Sequence, residues 1–324
     1  MFKNAKSTFY TFLVVSIAIL VLGNMMVFSA AQVAGLSSGG SSFSISGKQI
    51  FLSFLSLLFA WLASQLPLTS VRKIAKFGLF FAIAIMVLLI PFGRTVNGNR
   101  NWISIGPVDF QPSEFAKICL ILWAAFLIER NLKTPKRIFG SLFLGFSAVL
   151  LVVLAGQDLG SAVVIGLILG VLLFLSGSEI RQLTFLGGLG FMGVAVLIMA
   201  QPYRIARFTA FLHPFADGIY KNAGWQPAHS LMALASGGIF GAGLGASKQK
   251  WGNLAEAHTD FIFAVIGEEL GLIGTLIVLT AITLLVYSIF KISISAKDDF
   301  SRYLGLGIAF WIGIQSAINL ASAT

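Results

Sequence analysis

The stretch FIFAVIGEELGLIGTLIVLTAITLLVYSIF, Phe261–Phe290, decides the fold. It exceeds the roughly 20 apolar residues that a helix needs to cross the hydrocarbon of a bilayer. Its apolar character is continuous rather than alternating with a period of two, which excludes a strand of a membrane barrel. Only Glu268 and Glu269 break the run. Acids at that depth require partners or water, and a structural ion pair is the expectation for both. Asp260 stands at the last polar position before the run. An acid at the mouth of a membrane segment is costly and therefore a functional candidate, with a helix N-cap as the competing reading; Thr259 caps equally well.

Upstream of that acid lies a long polar connection, 201–260, which holds all three histidines, His213, His229 and His258. Connections in compact proteins usually run about 4 to 6 residues, so one of this length is functional or disordered. Its apolar patches, Phe211–Phe215 and Ile239–Leu244, argue against disorder, and Ser230–Ala235 reads as a short amphipathic helix at the membrane surface. The histidines lack the spacing of a metal cage. GAGLGAS, Gly241–Ser247, follows no strand and reads as turns rather than a nucleotide fingerprint.

Further outward, the chain repeats the pattern of the opening stretch. It is 57% hydrophobic and only 10% charged. Apolar runs fall at 9–30, 49–67, 75–92, 113–129, 139–155, 161–177, 183–200, 261–290 and 303–322. The expectation is an all-α polytopic membrane protein, a helical bundle of about nine spans in one domain, 1–324, with the long loop between the seventh and eighth. The first run is too long for a signal-peptide core and is followed by more spans. Cys119, the single cysteine, excludes an intramolecular disulfide.

The net charge of +10 first suggests nucleic acid, but its distribution does not. Lys3, Lys6, Arg72, Lys73, Lys76, Arg130, Lys133, Lys136, Arg137, Arg181, Lys291, Lys297 and Arg302 fall in every second loop and make up 13 of the 22 cations. The positive-inside rule puts those loops and the N-terminus in the cytoplasm. The Gly/Ser-rich loop Gly35–Gly47, the loop Gly93–Pro112, the turn Gly156–Gly160 and the loop 201–260 then face outward. Within Gly93–Pro112, Asn97-Gly98 is a turn signal and Ile103–Val108 a small hairpin. Ser113 can cap the next helix, with Glu114 near its positive end.

Lys117 lies one turn further in, among apolar residues, and needs a partner. Glu114 is the local candidate and Asp260 the distant one, and snorkelling is the plain alternative. Arg94, Arg100, Arg204, Arg207, Lys248 and Lys250 violate the charge rule on the outer face. They suit an anionic ligand such as a lipid phosphate, or else anchor to headgroups. Asp158 heads the sixth span, where capping competes with a role in a cavity. No GxSxG or P-loop motif supports a serine hydrolase or an ATPase.

Four stretches together carry a resemblance. They are NGNRNWISIGPVDFQPSEFAKI (Asn97–Ile118), QDLGSA (Gln157–Ala162), PYRIARFTAFLHP (Pro202–Pro214), and the run from GWQ through EAHTDFIFAVIGEELG (Gly224–Gly271). In these the chain resembles the SEDS family (FtsW, RodA and SpoVE), and the last stretch looks more like the division branch, FtsW. Two prolines of the family pattern are replaced, by Gln157 and Ala255, and altered loop stiffness is the expected result. The family's tenth span and its LPFxSxGG segment have no counterpart before Thr324, so the sequence reads as cut short.

The resemblance implies a glycosyltransferase that polymerises lipid II at the outer face of the bacterial cytoplasmic membrane, at the division septum. Such chemistry needs a carboxylate base, which would be Asp260, with Lys117 and Glu114 beside it. It also needs charge against the diphosphate leaving group, from Arg204, Arg207, Lys248 and Arg100 or from a divalent cation, Mg or Mn. Asp158 and His258 complete the substrate contacts on this reading. The implied partners are a class B penicillin-binding protein, since nothing here could form peptide crosslinks, and other membrane proteins of the division complex. A pairing of Lys117 with Asp260 would hold the base ionised. A lipid II flippase and a RodA-like elongation polymerase are the alternatives; a flippase predicts charges through the full membrane depth.

Overall fold

Lipid offers backbone groups no hydrogen bonds, so an apolar chain of this kind satisfies them within helices. The computed structural model describes residues 2–37, 42–96, 99–106, 108–156, 158–254 and 257–324. The Asn97-Gly98 turn, the centre of the Gly/Ser-rich loop, and the replaced prolines at Gln157 and Ala255 lie outside them. The described residues form α1 (Phe2–Ser37), α2 (Ser42–Ser64), α3 (Leu68–Ala75), α4 (Gly78–Val87), α5 (Leu89–Phe92), β1 (Arg94–Val96), β2 (Asn99–Ile105), β3 (Val108–Phe110), α6 (Pro112–Asn131), α7 (Pro135–Ala155), α8 (Leu159–Leu175), α9 (Ile180–Met199), α10 (Pro202–Leu212), α11 (Trp225–Ser236), α12 (Ile262–Ile294) and α13 (Asp299–Ala323).

All nine apolar runs fall on helices. By length and composition six described helices can cross a membrane, α1, α2, α7, α9, α12 and α13, or seven if α3 and α4–α5, bent by 54°, form one span. The other two runs differ for local reasons. Glu114, Lys117, Glu129 and Arg130 lower the hydropathy of α6, and α8 has only 17 residues. Lipid is the natural neighbour of α9, which buries none of its residues and leaves Phe191 79% exposed.

The helices group into two compact units. The first comprises Met1–Gln65, Ile198–Ser288 and Gln315–Thr324. Its core joins Met26 of α1, Ala233 of α11 and the first turns of α12, through Ala264, Val265 and Ile266, to Leu254 and Ala257 of the preceding turns. α1 and α2 are tied by Asn24, which donates to Ser53 Oγ at 3.1 Å. The helix expected at Ser230–Ala235 is longer, α11, and its Ser230 hydroxyl donates to the Ala323 carbonyl at 2.6 Å.

The second unit, Leu66–Leu197 with Ile289–Ile314, packs α4, α6, α7 and α8 about Leu120, Ile121, Leu142, Phe146, Ile165 and Leu172, all but fully buried. Small residues set the helix separations. A Cβ on Gly78 would strike the Cys119 carbonyl of α6, and one on Gly307 of α13 would strike Ile121. The expected hairpin is part of a three-stranded antiparallel sheet, order β1-β2-β3, with Ile105 opposite Val108. Ser113 is not the cap of α6. Gln111 occupies that position, Pro112 starts the helix, and the Ser113 hydroxyl instead meets Ser161 Oγ of α8 at 3.2 Å.

Candidate active site

The run Phe261–Phe290 is not one uninterrupted helix. At Gly271 the backbone takes φ 66° and ψ −163°, a conformation that only glycine adopts without strain. A break inside a membrane helix frees amides and carbonyls, which must find other partners. The segment 237–243 supplies them. Ala242 N and Gly243 N donate to the carbonyls of Glu268 and Glu269 at 2.9 and 3.0 Å. In return Leu272 N and Ile273 N donate to Gly238 O and Ile239 O at 2.9 and 3.2 Å. The close approach leaves no room for side chains: a Cβ on Gly237 would strike the Gly267 carbonyl, and one on Gly241 the Glu269 carbonyl.

The two acids beside the break are buried, Glu268 to 2% exposure and Glu269 to 0%. Glu269 Oε1 pairs with Lys250 Nζ at 2.8 Å, and both Glu269 oxygens accept from the Ser29 hydroxyl at 2.8 Å. Lys250 Nζ also donates to Ser29 Oγ at 3.0 Å, so the ammonium sits in a closed polar cage. The ion pair expected from sequence therefore holds for Glu269. Glu268 differs: neutral donors satisfy it, namely the Ser247 hydroxyl at 2.5 Å and the amides of Lys248 at 2.9 Å and Gln249 at 3.2 Å. The GAGLGASKQK segment is, as expected, a series of turns. Of the cations that sequence offered to an anionic ligand, Lys250 is thus consumed in the interior and Lys248 stays exposed.

Asp260 belongs to this unit and is exposed in the turn just before α12, with His258 half-buried two residues earlier. The start of α12 fixes its position, because Phe261, Ala264 and Val265 are anchored in the core. Arg204 and Arg207 lie on α10, both over the Tyr203 ring, at 5.6 and 5.9 Å. Arg204 Nε also donates to the Tyr203 hydroxyl at 3.0 Å. His229 is buried, its Nδ1 is 2.7 Å from the Trp225 carbonyl, and its ring lies 4.0 Å from that of Trp225, a packing role.

The remaining candidates belong to the second unit. Lys117, 1% exposed, meets Glu114 Oε1 at 2.7 Å and lies 5.4 Å from the centre of the Trp311 ring of α13. The local partner is thus realised, and burial between α6 and α13 replaces the snorkelling alternative. Asp158 does cap α8, its Oδ1 accepting from Ser161 N at 3.0 Å. Its other oxygen accepts from Asn101 Nδ2 and Gln111 Nε2, each at 3.2 Å, tying β2 and the start of α6 to α8. Arg100 donates to the carbonyls of Gly93 at 3.1 Å and Ile90 at 2.7 Å, which closes the C-terminal end of α5. Ser29, Ser247, Asn101 and Trp311 escaped the sequence reading. None carries a signal by itself, since each gains its role from a distant segment.

Among the described residues no three His, Cys, Asp or Glu side chains gather where they could hold a metal ion.

Comparison with known proteins agrees with this architecture. Residues 9–324 match the FtsW/RodA/SpoVE family model, described as a cell cycle protein. The chain is 36% identical over 319 residues to the probable peptidoglycan glycosyltransferase FtsW of Aeromonas salmonicida, covering 96% of this chain and 80% of that one. It is 33% identical to the stage V sporulation protein E of Bacillus subtilis, covering 96% and 86%. Among solved structures, a chain of a peptidoglycan synthase complex that coordinates polymerization and crosslinking superposes with a TM-score of 0.75 at 25% identity, over 97% of this chain and 86% of that one. The rod shape determining protein RodA of Thermus thermophilus shares the fold, with a TM-score of 0.66 at 24% identity, over 96% and 83%. With its nine apolar runs on helices, its broken α12 and a family match over nearly its whole length, this chain belongs to the FtsW/RodA/SpoVE family of membrane proteins.

Proposed function

We propose that the protein is a peptidoglycan glycosyltransferase that polymerises lipid II at the outer face of the bacterial cytoplasmic membrane during cell division, with Asp260 as general base. The observation that carries the residue assignment is an exposed carboxylate placed immediately before a helix whose first turns are locked by buried packing and by the Glu268–Glu269 network. A base must be reachable by substrate and held still, and this arrangement supplies both conditions. The Asp260 carboxylate takes the proton of a sugar 4-hydroxyl as that oxygen attacks the anomeric carbon of a second lipid-linked sugar. The bond from that carbon to the diphosphate oxygen breaks, and its electron pair leaves with the lipid diphosphate. Arg204, Arg207 and Lys248 are cations of the same unit that can meet the growing negative charge. The FtsW names of the relatives support the activity.

Crosslinking needs a second protein, a class B penicillin-binding protein on this reading. The solved complex that couples polymerization with crosslinking supports that pairing. The test is polymerisation of purified lipid II by the purified protein, with and without its transpeptidase. Asp260→Asn is expected to abolish glycan product while leaving thermal stability unchanged. Near-normal product from that variant would remove Asp260 as the base.

A further inference from the structure

Lys248 and Lys250 stand two residues apart in one turn and have opposite fates. Lys250 is buried against Glu269, whereas Lys248 is exposed although its backbone is held as firmly. The holder is Glu268. Its Oε1 accepts from Lys248 N at 2.9 Å, and its Oε2 from Ser247 Oγ at 2.5 Å and Gln249 N at 3.2 Å. Three donors converge on both oxygens, so the position demands a group that accepts everywhere and donates nowhere. An amide there would turn one N–H toward a donor. A buried carboxylate held by dipoles alone is costly, a cost offset by the three donors that it satisfies and that an apolar side chain would strand. What it does secure is the conformation of Ser247–Gln249, and through it the point from which the Lys248 side chain departs.

The depth of that point matters. Along α12, Glu268 lies about 9 Å beyond Ile262, at 1.5 Å per residue. Asp260 precedes Ile262. A lipid-linked sugar diphosphate is itself ordered in this sense: sugars in water, diphosphate at headgroup level, hydrocarbon below. With Asp260 at the sugar, the Glu268-bound turn falls toward the diphosphate. We infer that Glu268 is a positioning residue that presents Lys248 as a contact for the substrate diphosphate. This deepens the glycosyltransferase reading and rests on it. Lys248 adds its charge where the leaving group departs; Glu268 never touches substrate and acts only through the turn.

The test uses the full chain purified in detergent free of added phospholipid, with lipid II as substrate, measuring kcat, KM and thermal unfolding. Lys248→Ala is expected to raise KM about tenfold at unchanged unfolding temperature, the effect of losing one charge-assisted contact. Glu268→Gln should raise KM to a similar extent and also lower the unfolding temperature. The double variant should then show the KM of Lys248→Ala alone and the unfolding temperature of Glu268→Gln alone. Should Glu268→Gln not fold, Ser247→Ala removes one of the three donors and is expected to raise KM in the same direction. A Glu268 that is merely structural would move the unfolding temperature and leave KM in place, which overturns the proposal. So would an unchanged KM for Lys248→Ala, or KM effects that multiply in the double variant. A KM difference between wild type and Lys248→Ala that appears only when anionic phospholipid is added would assign Lys248 to headgroups instead and overturn it as well. Absence of any polymerisation by the wild-type chain overturns the glycosyltransferase reading itself, a separate outcome.

Discussion

Charges inside this protein are divided between those that lock and those that remain available. Lys250 and Glu269 lock: both are almost fully excluded from solvent and each depends on the other and on Ser29. Removing one partner of a buried pair leaves an uncompensated charge, whereas replacing both is far milder. Lys250→Met is therefore expected to lower unfolding free energy by about 3 kcal/mol, and Lys250→Met with Glu269→Gln to recover much of that loss. A single variant as stable as the parent, measured by unfolding in mild detergent, would mean that Glu269 is held without its charge. A second lock joins α3, α6 and the turn before α13, where Arg72 bridges Glu129 at 2.8 Å and Asp298 at 3.1 Å. Burial alone would raise the Asp298 carboxyl, but Ser301, whose amide donates at 2.8 Å, and the Arg72 guanidinium outweigh it and hold the group below the ordinary carboxylate range. With the folded value depressed, the unfolded chain takes up the proton first. The stabilisation is thus complete above the ordinary carboxylate value and fades as pH falls through the folded one. Asp298→Asn is expected to flatten the loss of thermal stability on acidification; an acid limb as steep as that of the wild type would exclude Asp298 as its source.

At the scale of elements, the break in α12 is the feature on which the candidate site depends. A continuous helix through Gly271 would need no help from 237–243, and that segment would then lack partners for its own amides. The four backbone bonds across the break therefore join the fate of the long connection to that of the helix. Gly271→Ala tests this. The residue would be held at a φ of 66°, and its Cβ would meet Gly241 N and Ile239 O. A cost of about 1–3 kcal/mol is expected from the backbone alone, with more from the contact. Hydrogen exchange should rise in 237–250 before it rises in the rest of the unit. An unchanged exchange pattern in that segment would show that the break does not organise the connection.

For the whole molecule, lipid replaces a second layer of protein. Phe80, Phe185, Phe191 and many other large apolar side chains are exposed, on helices that no soluble protein would leave bare. The alternation of cations between loops predicts which ends meet the cytoplasm, and on that rule the connection that holds Asp260 is expected outside. A cysteine at Ala216, in the turns after α10, is accordingly expected to react with a membrane-impermeant reagent in intact cells, in a background where Cys119 is replaced. Labelling only after lysis would reverse the topology and with it the reading of the site.

The sequence by itself determined the class of the protein, because apolar runs as long as Phe261–Phe290 have one stable form in a bilayer. It also determined that Asp260 needs an explanation, that Lys117 needs a partner, with Glu114 the local candidate and Asp260 the distant one, and that the GEELG acids need partners or water. Glu114 answers Lys117 because i and i+3 are neighbours on any helix, a relation that spacing alone reveals. Only the tertiary structure decided which of Lys248 and Lys250 is spent inside and which faces out, since that depends on Ser29, 221 residues from Lys250. It decided equally that α12 breaks at Gly271. Nothing local marks that glycine from its neighbours in GEELGLIG; the break is held by carbonyls and amides of 238–243, and hydrogen bonds between segments so far apart leave no period in a sequence.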